Sequence, residues 1–570
     1  MARVEYINQL IKKNGYKTYL EIGVAVPDMN YNLIECETKE GCDPYFDAPD
    51  DYAFGEHAER LESYRNSVTY LMTSDEMFSR MSANKKYDII FIDGDHTEAG
   101  SKKDIVNSLK HLSDGGVLVV HDVIPKGEKY TGDERQIDEW YGNVYKSILD
   151  FGKVGGRFAC VREGEFNGVA LIPKQTFTKP QEVEFLKKSE YDWSYVDTDM
   201  DEKMHVINLD DYGKKVMIYH NCEYLLKEER RHFDKNGRIV FGGTEYWVTG
   251  IADNLAKWGY NVTLFTDVLL SNQAEGVSCA KRDSYKLYDY YDAALITTNI
   301  EVTNSLNCKN IILCPTCEYF NTNFGSFAPA DMVGFLSEWQ RRQFEQLYKV
   351  VPEISFRHFL PCKYDEYDDY REYEKENSMV WSSAPIRGLR FFIERVLPKI
   401  RKEVPDFKLY ICGYDVSYYE KEWEIYVKGV GPMINAGKKE LAELQKKSKI
   451  WVYPNIGRSE TSGKFKETYC ITAVENAMAG NAIVCFAEKD GISSTLEGYE
   501  GLLLDCPVRD EDDNFMYYYE EAATVLANKA IEILLNDDLR MYLAETARDI
   551  CKDYTWEKET AIISREISKR

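Results

Sequence analysis

No apolar run in this chain approaches the ~20 residues needed to span a bilayer. The first residues, MARVEYINQLIKKNGY, are broken by charges where a secretory leader would carry its apolar core. Neither a transmembrane segment nor a leader is expected. Positive charge is in deficit as well: the formal net charge of −25 argues against a general affinity for nucleic acid or anionic membranes. Zinc-ribbon spacing is missing too. Cys314-Pro-Thr-Cys317 has no second pair and reads as a strand end followed by a turn. The 14 cysteines are scattered, and Cys36, Cys160, Cys412 and Cys485 fall in strand-like runs where a reduced thiol acts as a small hydrophobe. That pattern points to a reducing cytoplasm.

What is present is the composition of a folded protein, 44% hydrophobic and 29% charged. Its 570 residues are too many for one core. The 42 tyrosines suit hydrogen-bonding surfaces such as sugar sites. Four segments are expected: a domain over 1–175, an acidic connector over 176–214, and two lobes over 215–375 and 376–570.

The first segment opens on an amphipathic start (Val4, Ile7, Leu10, Ile11) and the strand YLEIGV (19–24). Further strand-like runs are GCDPYF (41–46), SVTYLM (67–72), YDIIFIDG (87–94) and GVLVVHDV (116–123), with helix-like stretches between them. Near-continuous apolar strands alternating with helices predict a buried parallel sheet of Rossmann type. Such sheets bind ligands outside the carboxyl ends of their strands. Here Glu21 and Gly23 close the first strand, Asp43 the second and Asp93 a later one. Glycine lets a cofactor approach the backbone, and an acid after the second strand suits ribose hydroxyls.

With EIGV, DP, MTSDEMF, FIDGDH and GGVLVVHD in that order, the segment resembles class I S-adenosylmethionine-dependent methyltransferases. The resemblance extends to a closing FACVRE–GVALIP hairpin (158–172). It implies that Glu21 and Gly23 border the methionine moiety, that Asp43 holds the ribose, and that Ser74 and Asp75 lie near the adenine. The chain departs from the family's glycine-rich first loop: after Gly23 comes VAVPDMNYN, with no glycine until Gly41. Related O-methyltransferases hold a divalent metal at the next strand ends. By that likeness Asp93 and Asp122, helped by His121, could bind Mg²⁺ through hard ligands and lower the pKa of a substrate hydroxyl. His96 could accept the proton. The alternative is that His96 and His121 only orient loops and that the aspartates are turn formers.

Residues 176–214 are polar and acidic, with one short helix expected at 181–188. A strand, VMIYH (216–220), then leads to FGGTEYWVTGIADNLAKWGY, where Gly242 and Gly243 precede an amphipathic helix that stops at Gly259. Glycines opening a helix let a phosphate meet backbone N–H groups, or form a plain loop. AALITT (293–298), NIILCP (310–315) and MVGFLS (332–337) continue the sheet. The run KYDEYDDYREYEKENS (363–378) reads as a solvated hinge between lobes. A third strand–helix set follows, with Arg387 and Gly388 at a strand-to-helix turn, where an arginine can bind phosphate bidentately.

The last signal is ETYCITAVE (467–475). Glu467 should sit at a loop-to-helix junction with Glu475 two turns into the helix, on the order of 12 Å apart at ~1.5 Å per residue. Glycosidase carboxylates stand about 5–9.5 Å apart, so this spacing suits a clamp on one long ligand. Alone, it reads as a surface helix. GGTE, then RGL, then E-x7-E over about 350 residues resembles GT-B glycosyltransferases of the family-4 type. That resemblance implies a UDP- or GDP-sugar donor in the last lobe, an acceptor on the lobe before it, and retention of anomeric configuration. Glu475 would bind the nucleotide ribose and Glu467 the donor sugar, beside the backbone N–H groups of Thr468 and Tyr469. Arg387 would neutralise pyrophosphate, and Gly242 and Gly243 would let the lobes close. A second family cation has no counterpart at Ser382–Ser383, so Lys464, Lys466 or Arg390 stands to replace it. The family's histidine near the donor sugar has no counterpart in ILCPTCEY.

The reading is a bifunctional transferase acting on a glycan or glycolipid acceptor. Its alternatives are a glycosyltransferase with a degenerate methyltransferase-like docking module, or a small-metabolite enzyme.

Overall fold

The computed structural model describes residues 3–44, 64–135, 137, 139–163, 167–222, 243–267, 276–285, 290–298, 300–315, 330–347, 353–362, 366–383, 387–412, 433–434, 438–454, 467–487, 491–499, 502–505, 507 and 515–569. The chain divides into two compact units. One comprises Met1–Lys215, Asp253–Val262 and Ala274–Gly276, the other Val216–Ala252, Thr263–Gln273 and Val277–Arg570. The architecture is α/β in both, with a Rossmann-like sheet in the first.

In the first unit a helix, Arg3–Asn14, precedes β1 (Thr18–Ile22), β2 (Thr38–Cys42), β3 (Tyr87–Ile92), β4 (Leu112–Val120), β5 (Ala159–Arg162) and β6 (Gly168–Pro173). Their order in the sheet is β2-β1-β3-β4-β6-β5. The first four are parallel, and β6 runs antiparallel to both β4 and β5. Ile89, Ile90, Phe91, Leu118 and Val119 are buried, which is why these strands read as unbroken apolar runs. The chain reverses its direction of winding beside β1 and β3, and ligands of open α/β sheets bind at such a point. Two expectations change. SVTYLM is no sheet strand and contributes only a bridge from Tyr70 to Cys42. The stretch expected to be a connector is built into this unit, with helices Lys179–Phe185, Trp193–Val196 and Met200–Lys203. Phe185, Val196 and Met204 join its core. Ile207 is buried as well, and so is one acid of the stretch, Asp211.

After the first six strands come β7 (Lys215–His220), the helix Gly243–Lys257, β8 (Asn261–Thr266), β9 (Val277–Lys281), β10 (Tyr290–Ile296), β11 (Asn307–Leu313), β12 (Met332–Phe335) and β13 (Ile354–Arg357). The sheet order is β13-β12-β11-β10-β7-β8-β9, so its winding reverses between β7 and β10. Next come β14 (Ser378–Trp381), β15 (Lys408–Cys412), β16 (Met433–Ile434), β17 (Ile450–Tyr453) and β18 (Ala482–Cys485), in parallel sets β14-β15-β16 and β17-β18. The amide of Lys449 donates to Ser378 O at 3.3 Å, setting β17 beside β14. The RGL turn and the ETYC segment therefore follow two neighbouring strands. A π-helical turn, Phe392–Val396, lies just ahead of Pro398, whose nitrogen has no proton to give the residue four back.

The described part of the acidic run before β14, residues 366–378, is only partly solvated. Tyr367 and Tyr370 are buried, donating to Gln445 Oε1 at 2.7 Å and Glu545 Oε1 at 3.0 Å.

Candidate functional site

In the first unit the sequence FIDGDHTEAG runs from β3 through a short loop into the helix Glu98–His111, which Thr97 caps by accepting from Gly100 N. The loop places Asp93 and His96 opposite Asp122, which follows β4. One ligand atom from each of the three lies within 4.8 Å of the others. His96 is held by Trp140, stacked at 5.2 Å, and by the amide of Asn143, which donates to His96 O at 2.9 Å. A side chain at Gly142 would strike His96 O at 2.2 Å. Asp122 takes a left-handed backbone, φ 61°, and accepts from Asn167 Nδ2 at 2.9 Å. Strain of this kind persists where the surroundings over-determine it.

His121 stands beside both aspartates. Its Nδ1 lies 2.9 Å from Asp122 Oδ1 and 3.2 Å from Asp93 Oδ1, and its Nε2 lies 3.1 Å from Glu163 Oε2. Burial opposes a charge on this ring, yet Asp93 and Asp122 hold its pKa well above the ordinary value. Burial likewise opposes the Asp93 charge, and His121 outweighs it, holding that carboxyl well below the usual range. The same two aspartates raise the His96 pKa against its burial, and the imidazole among the three clustered groups is His96. Arg3 adds a second cation, 3.8 Å from Asp93 Oδ2.

This donor set fits a divalent ion. His96 Nδ1 is 3.3 Å from Asp122 Oδ2, but it is a buried atom without an aligned hydrogen bond. Two carboxylates and one imidazole admit Mn²⁺ or Zn²⁺ beside the Mg²⁺ expected of oxygen ligands.

Glu21, Gly23 and Asp43 stand at the ends of β1 and β2. Gly23 has φ 87°, and a Cβ on it would lie 2.1 Å from Asp93 O. Its bareness makes room for the end of β3. Glu21 is buried and accepts from Tyr19 OH at 2.5 Å and Asn30 Nδ2 at 2.9 Å. Asp43 accepts from the amide of Ala25 at 2.9 Å and from Tyr64 OH at 3.0 Å. Ala25 adopts φ 42°, the conformation a glycine-rich loop would supply without strain. Ser74 donates to Asp104 Oδ1 at 2.5 Å, and Asp75 pairs with Lys103 at 3.1 Å. Burial pushes Asp104, unnoticed in the sequence, up to about 7.

In the second unit the Gly388 turn has φ 105°, and a Cβ there would meet Pro454 Cγ at 3.0 Å. Arg387 and Glu467 are brought together: the guanidinium lies 2.8 Å from Glu467 Oε1. Tyr453 OH donates to the same oxygen at 2.6 Å. Burial and then the Glu467 charge keep that phenol protonated. The ETYC backbone is braced from behind, with Gly491 N donating to Glu467 O at 2.6 Å and Cys470 N to Thr495 Oγ1 at 3.1 Å. A Cβ on Gly491 would strike Thr468 O at 2.2 Å. Thr468 is half-buried, Tyr469 buried. The helix starts at Ile471, so buried Glu475 lies one turn in, not two.

Gly243 opens its helix, and a Cβ there would meet only Leu360 at 3.8 Å. Gly242, Lys464 and Lys466 lie outside the described residues. A histidine missed in the sequence occupies the reversal point of the seven-stranded sheet, between β7 and β10. His220 ends β7, with Nδ1 2.8 Å from Thr297 Oγ1 and Nε2 3.4 Å from Glu245 Oε1 of the GGTE helix.

Residues 10–123 match a family model described as a methyltransferase domain. Residues 378–518 match one described as glycosyl transferases group 1. A search of the curated proteins returned no match. Solved structures similar to this chain include a glycosyltransferase from Rickettsia africae, at 13% identity over 63% of this chain and 99% of that one, TM-score 0.46. Anabaena HepE, in complex with UDP and glucose, has 12% identity over 63% and 100%, TM-score 0.45. WaaG, a glycosyltransferase involved in lipopolysaccharide biosynthesis, has 14% over 62% and 100%, TM-score 0.43. The chain thus joins a methyltransferase-like segment to a glycosyltransferase-like one.

Proposed function

We propose that the chain is a two-activity transferase of glycan synthesis. The second unit transfers a sugar, with retention, from a UDP- or GDP-sugar to a glycan or glycolipid acceptor. The first methylates an oxygen, a sugar hydroxyl, using S-adenosylmethionine. The observation that carries the reading is the pairing of Arg387 with Glu467 at 2.8 Å, just ahead of the helix bearing Glu475, inside the segment that matches the glycosyltransferase model.

In this reading Glu475 accepts hydrogen bonds from the nucleotide ribose. Arg387 turns from Glu467 to the pyrophosphate, whose two negative phosphates outbid a single carboxylate. Glu467, held by Tyr453, then faces the donor sugar beside the Thr468 and Tyr469 amides. Front-face transfer needs no protein nucleophile, so the protein's contribution is stabilisation of the leaving pyrophosphate and orientation of the acceptor. His220 and Glu245 steady the Gly243 helix terminus. In the first unit Asp93, His96 and Asp122 would hold a divalent ion, with His121 and Arg3 balancing the surrounding acids. Such an ion supplies an acidified substrate hydroxyl; without it His96 is the proton acceptor.

A thermal-shift screen of nucleotide sugars tests the donor site. One UDP- or GDP-sugar should raise the melting temperature, because a ligand bound only by the folded state stabilises it by mass action. No shift with any nucleotide sugar at millimolar concentration would contradict the reading.

A further inference from the structure

His220 closes β7 and Thr297 follows β10, the two strands between which the seven-stranded sheet reverses its winding. Open α/β sheets receive ligands at such a place. Glu245 reaches the same point from the first turn of the helix Gly243–Lys257. His220, Thr297 and Glu245 are all buried, at 3%, 0% and 4% exposure. The Thr297 hydroxyl donates its one proton to Tyr219 O at 3.1 Å. Toward His220 Nδ1, 2.8 Å away, it can therefore only accept, and Nδ1 carries a proton. The other ring nitrogen, Nε2, faces Glu245 Oε1 at 3.4 Å. Two lone pairs would repel each other there, in a site closed to water. One proton accordingly lies between ring and carboxyl. Whether the ring or the carboxyl holds it, the negative charge of Glu245 is offset.

That offset decides what the helix end can bind. The first N–H groups of a helix lack partners inside it and carry its positive end. Among the described residues, a Cβ on Gly243 would meet only Leu360 Cδ1, at 3.8 Å, so there is room beside that end. A bare carboxylate in the first turn would absorb the helix field and repel an incoming anion. We propose that His220 is a positioning residue for the sugar donor: by sharing a proton with Glu245 it cancels the carboxylate charge and keeps the helix N-terminus open to the terminal phosphate of a nucleoside diphosphate. This rests on the nucleotide-sugar reading above and adds a charge requirement that the letters GGTE do not show.

Isothermal titration of the full chain with UDP and GDP, and with the monophosphates UMP and GMP, tests the pair. An asparagine amide can donate to Thr297 as Nδ1 does and cannot reach Glu245 as Nε2 does, so His220→Asn bares the carboxylate. It should weaken the diphosphate that wild type binds by about tenfold or more, as like charges brought together do, and leave the monophosphate unchanged. Glutamine caps a helix from this position as glutamate does, so Glu245→Gln removes the charge alone. By itself it should bind the diphosphate at least as tightly as wild type. Added to His220→Asn, it should restore affinity to within about threefold of wild type, whereas a purely structural loss would persist. Melting temperatures show which variants fold, and Glu245→Gln decides the matter if His220→Asn does not: a loss of about tenfold in it overturns the proposal. So does equal weakening of di- and monophosphate by His220→Asn, no weakening at all, or a double variant as weak as His220→Asn. Each of these leaves the donor reading standing. Binding of no nucleotide by wild type overturns both.

Discussion

Lys375 caps the carboxyl end of the helix that bears Glu475. Its Nζ donates to Ala479 O at 2.6 Å and to Asn481 Oδ1 at 2.9 Å, and Arg548 donates to Met478 O beside it. Burial first, then Arg540 and Arg548, push the lysine down to about 7. In the unfolded chain it keeps the ordinary value of 10.5. Between those values the unfolded state holds a proton that the folded state has released, so stability from this group rises with pH through that window and falls away as pH drops toward 7. Urea melts of wild type and Lys375→Met should show a stability difference that moves in favour of wild type from pH 7 to pH 10. A difference independent of pH would contradict the assignment. None of this is legible in the sequence, where Lys375 belongs to a run of acids and tyrosines that reads as solvent-facing. Burial there depends on which helix arrives from more than a hundred residues away. Asn30, Asp104 and His220 were hidden for the same reason: each gains its meaning from a partner on another element.

At the scale of elements, strand ends were legible and strand neighbours were not. Glu21, Gly23, Asp43 and Asp93 could be set at the ends of apolar runs because a two-faced burial pattern shows in a strand's own letters. The strand order that sets His220 against Thr297 is a long-range property. SVTYLM has the composition of a strand, yet Thr69 and Tyr70 both donate to Gly41 O as an irregular edge. Helix pairing has a similarly hidden centre in Lys102, 1% exposed on the helix Glu98–His111. It donates to Glu98 Oε1 at 2.8 Å, to Asp150 Oδ2 of the helix Val144–Lys153 at 2.6 Å, and to Lys187 O at 2.5 Å. Lys102→Met leaves two carboxylates buried without their cation and should destabilise the fold by about 3–5 kcal/mol. Denaturant unfolding measures this, and a loss below about 1 kcal/mol would show that the pair is dispensable.

At the scale of the second unit, the last helix, Trp556–Ser568, ties the chain's end to its first sheet. Glu559 is fully buried and receives Trp247 Nε1 at 2.7 Å, His358 Nδ1 at 3.0 Å and Phe359 N at 3.1 Å. Trp556 packs where a side chain on Gly250 would stand, 2.0 Å from its ring. The buried carboxylate was not legible in the sequence, because a lone glutamate in an amphipathic helix reads as surface. The donor clamp proposed above belongs to this same unit, and Glu475 is the residue assigned to its centre. Isothermal titration of wild type and Glu475→Ala with UDP and with GDP tests it most directly, with unchanged melting confirming that the variant is folded. The predicted result is saturable binding of one nucleotide by wild type and a loss of about tenfold or more in the variant, as for hydrogen bonds to a charged group. Binding of neither nucleotide, or equal affinity in the two proteins, would contradict the account.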